Sequence, residues 1–513
     1  MGIERSLKLV GDFTSSIEKV DTETIVAQMS ELIRIGGKLP VASALQKDVV
    51  ARLSRDTARV EEIPAALCSD IIVPLRFLAL SNQAFYSRGQ AVTDLGTLGS
   101  LIGVTRVGEK FDELGSVAPL SNAFKGRALA MATYQNTILS ALLSQRFFTC
   151  IEKQRFPTTL PFLTLIASEL PLVLLSYTKP HLYAACYLDS CAQDNIPIER
   201  FMKKIFQVSM SELFSQIASS SGLPAPLSEY VEMLSMAPWN RRGWTIASNQ
   251  ENRAVVTSAF ISQKLGALVP RGIERQDFFA AVRAFDGKAD INKKILDNAL
   301  VNVSSRFLES MIALGLPALR LARYLQVYED QVVDEKGEVS DINIKWPPVT
   351  ARLNPFVIEI KAALKASSLD DGVTRLPHVL ASTALALMRG LSFDRVVLFV
   401  PETLDGGRAL LPKLTLGRKI ENESLLEKPL EQFDQYAPHV KAFKERQAIF
   451  QGDPLFDDDW PFVAFPLIQS GEVKAVLYAD KKKEKDPPPI STEEQVALIA
   501  LSEVFHDVPP LFS

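Results

Sequence analysis

Between about residues 26 and 328, apolar residues recur three and four positions apart with breaks at Gly and Pro, which predicts a region built of helices. Leu296, Leu300, Val303, Phe307, Met311 and Leu314 show the spacing most plainly and make one apolar stripe. The segment Glu329 to Pro348 is acidic, loses the period and ends in a Pro pair, so it is expected to be a linker. Beyond it the pattern changes. A helix with Leu376, Val379, Leu380, Thr383, Ala384 and Leu387 on one side leads into Phe393 to Val400, a β-branched and aromatic run of strand character. Ala409 to Leu416, Phe462 to Ile468 and Val473 to Ala479 predict further strands, the last two joined by a tight turn at Gln469-Ser470-Gly471-Glu472. A closing helix begins at Ser491, placed to cap it, with Glu494 positioned to reach back.

The expected fold class is multidomain: an all-α N-terminal helical domain plus an α+β C-terminal domain with an antiparallel sheet. The expected boundaries are an N-terminal segment at 1–25, a helical domain at 26–240, a helical extension at 241–328, a linker at 329–352 and the α+β domain at 353–508. Length agrees, since 513 residues exceed what one hydrophobic core fills.

Composition, with 47% hydrophobic and 23% charged residues, is that of globular protein. A net charge of -4 gives no basic field for a phosphate backbone, so nucleic acid is not an expected partner. The four cysteines, Cys68, Cys150, Cys186 and Cys191, form no CxxC pair, which argues against a disulfide framework or a cysteine zinc site. The opening MGIERSLKLVGDFTSS is unlike a secretory signal, and Leu160 to Tyr177, the most apolar stretch, is broken by Pro161, Glu169 and Pro171. A cytoplasmic protein with a buried helix there, and no membrane partner, is expected.

Leu80-Ser81-Asn82-Gln83-Ala84-Phe85-Tyr86, then Ala91-Val92-Thr93-Asp94-Leu95 and Leu101-Ile102-Gly103, resemble in order and spacing an HDOD domain, the HD-related output domain. Gly37 to Val41 resembles the entry to that domain, and Ser211-Glu212-Leu213 through Gly222-Leu223-Pro224 its later helices, so the resemblance covers roughly residues 26 to 235. The same residues have a plain structural reading, in which Asn82 ends a helix, Phe85 and Tyr86 anchor a core and Gly103 terminates a helix. The last 160 residues or so resemble a GAF domain, through Leu387 to Val400, Phe462 to Ile468 and above all Val473-Lys474-Ala475-Val476-Leu477-Tyr478-Ala479-Asp480.

Metal-dependent relatives of the helical domain hold their ions through histidines and aspartates, and this resemblance puts Leu165 and Ile166 where the His-Asp dyad would stand and Asn136 near the first His. Met210 stands where many relatives carry a later His. Of the four histidines, at 181, 378, 439 and 506, only His181 precedes the linker. No metal, catalytic residue or cofactor is expected. His181 is expected at the surface of a helix start, and Cys186 and Cys191 in a core. Lys481 to Pro489 is expected to be a solvated loop, and Asp405-Gly406-Gly407 a turn rather than a phosphate loop. Haem on His378 or His439 is disfavoured, because histidines on amphipathic segments usually only pack. The Asn-Lys-Phe-Asp-Glu set typical of cyclic-nucleotide GAF domains is missing, as is any cysteine after residue 191 for bilin attachment.

These readings imply a non-enzymatic bacterial signal-transduction regulator, a GAF-like sensor or dimerisation domain coupled to a metal-free HDOD output domain that binds a partner protein. Two alternatives stay open: a divergent HD-class phosphohydrolase acting on a nucleotide or cyclic dinucleotide, and a ligand-free scaffold. Alternation along the strands suggests that Val397, Phe399, Phe465, Val476 and Tyr478 line a small-molecule site, although ordinary core accounts for the same residues. The apolar sides of Val373 to Leu387 and Glu493 to Phe505 predict a homodimer.

Overall fold

The structure, a computed structural model, describes residues 21–34, 37, 39–53, 62–82, 91–112, 114, 116–117, 119–124, 127–152, 158–192, 198–236, 250–268, 299, 303–316, 356–360, 375–404, 407–418, 428–429, 437–456, 461–469, 472–482, 490 and 492–504. Its N-terminal part is helical: α1 (Thr22–Ile33), α2 (Ser43–Leu53), α3 (Glu62–Leu67), α4 (Val73–Ser81), α5 (Leu98–Ile102), α6 (Val104–Asp112), α7 (Ala128–Glu152), α8 (Leu160–Thr178), α9 (Pro180–Ala192), α10 (Ile198–Phe206), α11 (Met210–Ser221), α12 (Ala225–Met236), α13 (Gln250–Leu268) and α14 (Val303–Leu314). Two short strands, β1 (Val41–Ala42) and β2 (Ser116–Val117), pair in parallel beside α2.

The layout follows from where apolar residues fall. α8 is apolar all round, as a helix enclosed by others must be. It is long and apolar enough to cross a membrane, yet 83% of that stretch is buried inside the protein, with α7, α9, α12 and α13 against it. Pro161 sits in its first turn, where no N–H is needed. α11 opens on a capping box: Glu212 N–H donates to Ser209 Oγ at 3.2 Å and Ser209 N–H donates to Glu212 Oε2 at 2.6 Å. It closes on Gly222, whose φ of +78° only glycine adopts without strain. On α14, Val303, Phe307, Met311 and Leu314 are buried, as their stripe predicts. Leu296, Leu300 and the linker at 329–348 lie outside the described residues.

The C-terminal part holds α15 (Arg375–Gly390), β3 (Arg395–Leu404), β4 (Gly407–Gly417), β5 (Lys428–Pro429), α16 (Pro438–Glu445), β6 (Phe462–Gln469), β7 (Glu472–Asp480) and α17 (Thr492–Val504). The strands form one antiparallel sheet in the order β5-β4-β3-β7-β6. Each expected strand is present, within two residues at its start and up to four at its end. The chain is therefore all-α followed by α+β, the expected fold class. Neither β5 nor α16 was foreseen, the first being two residues long and the second a single eight-residue amphipathic helix. Ser470, Gly471 and the capping Ser491 lie outside the described residues.

Both faces of the sheet are covered. Val396, Leu398, Phe465, Leu467, Ala475, Leu477 and Ala479 join the large core that includes α17 and runs into the helical part. Val397, Phe399, Leu410, Ala464, Val476 and Tyr478 form a second core with α16 and residues 449–456. α17 packs against β6 on one side and against α9 and α7 on the other. Its Ala497, Leu498, Ala500 and Leu501 are fully buried within this chain. The apolar side expected to join two copies at 493–505 is thus used internally.

Candidate functional site

Four of the five expected site residues come together on the second face. Val397 pairs across the sheet with Tyr478, and Phe399 with Val476, so their side chains rise side by side from the two central strands. Phe465 does not join them. It stands opposite Leu477 and faces the other core, while Ala464 and Pro466 take the positions beside Tyr478 and Val476. Alternation within a strand is legible in sequence, but the phase between strands depends on the register, and a one-residue slip exchanges the faces.

Over Val397 and Phe399 lies α16, whose His439 is fully buried and stacks on Phe399 with ring centroids 4.3 Å apart and planes 22° from parallel. This histidine is therefore a packing residue of the candidate face. Tyr478 is also fully buried, and its hydroxyl accepts a hydrogen bond from the Leu455 N–H at 2.9 Å. Burial pushes its phenol well above the ordinary value, so the hydroxyl stays protonated.

At the rim, Arg395 and Asp480 face each other across β3 and β7, both almost wholly buried. Arg395 donates from Nη2 to Asp480 Oδ2 at 2.6 Å and from Nε to both carboxylate oxygens at 3.2 Å. Its guanidinium lies 3.4 Å above the ring of Phe456, which in turn meets Tyr478 edge-on at 5.7 Å. Burial holds the Asp480 carboxyl above its ordinary range, and Arg395 opposes that effect. His439 packs, as expected of it, whereas Arg395, Phe456 and Asp480 were not expected in this site. Asp480, two residues beyond Tyr478, and Arg395, two before Val397, carried a signal in their shared parity. The assembly is a packed core with one phenol, one imidazole and one ion pair at its edge.

In the helical part, Leu165 and Ile166 are core residues of α8 and Asn136 lies on α7. Among the described residues no three His, Cys, Asp or Glu side chains gather as a metal site. Cys186 and Cys191 are buried thiols, and burial pushes the Cys186 thiol far up. His181 is not a plain surface residue: its ring reaches α17, with Nδ1 2.8 Å from the Glu503 carbonyl oxygen. Lys481 likewise departs from the expected solvated loop, being buried 5.2 Å above the Phe393 ring. Residues 483–489 lie outside the described residues.

The residues that carry the HDOD resemblance do structural work. Asn82 caps α4 and ties it to the next segment, donating to the carbonyls of Leu78 and Val92 and accepting from Val92 N–H, each at 2.8 Å. Asp94 accepts from the N–H groups of Gly96 and Thr159, both at 2.6 Å, and so pins this segment to the start of α8. Gly103, at φ +88°, separates α5 from α6. Phe85 and Tyr86 lie outside the described residues. A further buried network had no sequence signal: Tyr134 Oη donates to Asp70 Oδ2 at 2.7 Å, and Arg76 Nη2 bonds the carbonyls of Leu32, Leu39 and Gly37 at 2.7, 2.7 and 3.2 Å.

No protein-family model matches the chain, and no curated protein matches it. Among solved structures it is similar to an HDOD domain protein from Geobacter sulfurreducens, at 12% identity over 57% of this chain and 99% of that one, with a TM-score of 0.27. It is similar to the MmoQ response regulator of Methylococcus capsulatus, at 14% identity over 52% and 99%, TM-score 0.37. A GAF domain from a phosphoenolpyruvate-protein phosphotransferase of Coxiella burnetii aligns at 14% identity over 29% and 88%, TM-score 0.22. The solved neighbours thus include both domain types that the sequence resembles.

Proposed function

We propose that this chain is a non-enzymatic signal-transduction regulator in which the sheet part receives the input and the helical part presents a surface to a protein partner. The observation that carries this reading is the shared helix α17, which packs against β6 of the sheet and against α9 and α7 of the helical part. A helix that packs the sheet and the helical part into one core makes the state of one part matter to the other, which a regulator requires. The input is a small, largely apolar molecule with a hydrogen-bonding group, received over Val397, Phe399, Val476 and Tyr478 once residues 449–456 move aside. The described part of the apolar side of α15, Thr383, Ala384 and Leu387, is buried within this chain, as is that of α17.

The reading is tested by incubating the purified full-length protein with manganese, magnesium or iron and a panel of phosphodiesters, including cyclic dinucleotides. No metal-dependent turnover is expected, and elemental analysis is expected to find no stoichiometric iron, manganese or zinc. Turnover abolished by substitutions in the helical part would overturn the proposal.

A further inference from the structure

The C-terminal turn of α17 holds a pair of contacts on consecutive residues. Ser502 Oγ donates to the carbonyl oxygen of Pro466 in β6 at 2.5 Å. The carbonyl of the next residue, Glu503, accepts from His181 Nδ1 of α9 at 2.8 Å, and the Glu503 carboxylate Oε2 lies 3.9 Å from the same nitrogen. A carbonyl only accepts, so the Nδ1 of His181 carries the proton. Neighbouring residues on a helix point about 100° apart, so one turn can engage the sheet with one residue and the helical part with the next. Every residue from Glu494 to Glu503 is buried or half-buried, and the turn has little room to shift without moving what it touches.

The sheet side of this turn leads directly to the candidate face. Pro466 stands opposite Val476, and Val476 stands opposite Phe399. β6 is the edge strand, and Pro466, which has no N–H to give to a ladder, offers its carbonyl to a helix instead. We propose that Val476, Pro466, Ser502, Glu503 and His181 form a relay that passes a displacement of the candidate face to α9. This rests on the reading of that face as the input. In the relay Ser502 and His181 are positioning residues, and α17 moves as a rigid body between them.

The test is hydrogen–deuterium exchange on the full-length protein, read in peptides covering residues 180–192 and 462–469. Val476→Ala perturbs the candidate face without touching α17 and is expected to speed exchange in 180–192 at least about threefold. In the Ser502→Ala or His181→Ala background the same substitution is expected to leave that peptide unchanged from its background, because coupling is non-additive when both sites act through one element. Coupling free energy is reciprocal, so His181→Ala should in turn speed exchange in 462–469. His181→Asn, which keeps a donor near Nδ1, should restore wild-type values. If Val476→Ala disturbs the sheet globally, Phe399→Leu serves as the milder input. Exchange in 180–192 that ignores both inputs, or changes that simply add, would overturn the relay while leaving the proposed function standing. Phosphodiester turnover would do the reverse.

Discussion

Arg395 and Asp480 show how a single pair decides the rim of the candidate face. Both are almost wholly buried, so truncating one strands the other charge away from water. Arg395→Met is expected to cost about 3–5 kcal/mol in urea unfolding at neutral pH, with Asp480→Leu added to it recovering much of that loss. The pH dependence follows from burial, which already holds the Asp480 carboxyl above its ordinary value; without Arg395 it rises further. A carboxyl whose folded value exceeds its unfolded one binds extra protons in the native state. The deficit of the variant is therefore full above the folded value and shrinks as pH falls through it. Unfolding curves at neutral and mildly acid pH give the comparison; a deficit that grows on acidification contradicts it. Neither residue was legible as a pair beforehand, because the register that sets them opposite each other is a long-range fact about β3 and β7.

At the scale of elements, close approach of two helices makes a sharp forecast. A Cβ at Gly266 of α13 would come 1.7 Å from Ser140 Oγ and 2.9 Å from Ser140 Cβ on α7. Gly266→Ala gains roughly 1 kcal/mol of helix propensity, yet the overlap is expected to make it destabilising by about 1–3 kcal/mol. Ser140→Gly in the same chain should restore thermal stability, and if it does not, the two helices are not in contact there. The capping box of α11 supplies a second forecast. Bonds from Ser209 hold the Glu212 carboxyl below its usual range, so this cap contributes above the ordinary carboxylate value and is lost as pH falls through the lowered one. Ser209→Ala removes the hydroxyl's bonds and leaves the backbone one, so it is expected to lower the melting temperature more near neutral pH than in acid, as read by thermal melts. Elements long enough to show a period were legible in sequence: α8, α14, β3, β6 and β7 are where the pattern puts them. What was not legible was short or tertiary. α16 spans eight residues and β5 two, and the place of Phe465 depended on how one strand lies beside another.

For the whole molecule, a helix set in the one core that joins sheet and helical part predicts joint unfolding. Leu498→Ala with Leu501→Ala removes two fully buried side chains of α17 at roughly 2–5 kcal/mol each. Calorimetry is expected to show both parts losing stability together; a sheet transition that shifts while the helical one stays fixed would contradict a common core. The same helix has a second office. One edge of the sheet ends in β5, a strand of two residues closing on Pro429. The other edge is β6, which carries Pro466, is bridged by backbone bonds from Ala464 to Ile449, and has one face under α17. Edges left open are templates for other chains. A protease cut or an early stop just before Thr492 would bare Val463, Phe465 and Leu467, the apolar face of β6 that α17 covers, so a shortened chain would be lost to aggregation before it was lost to silence.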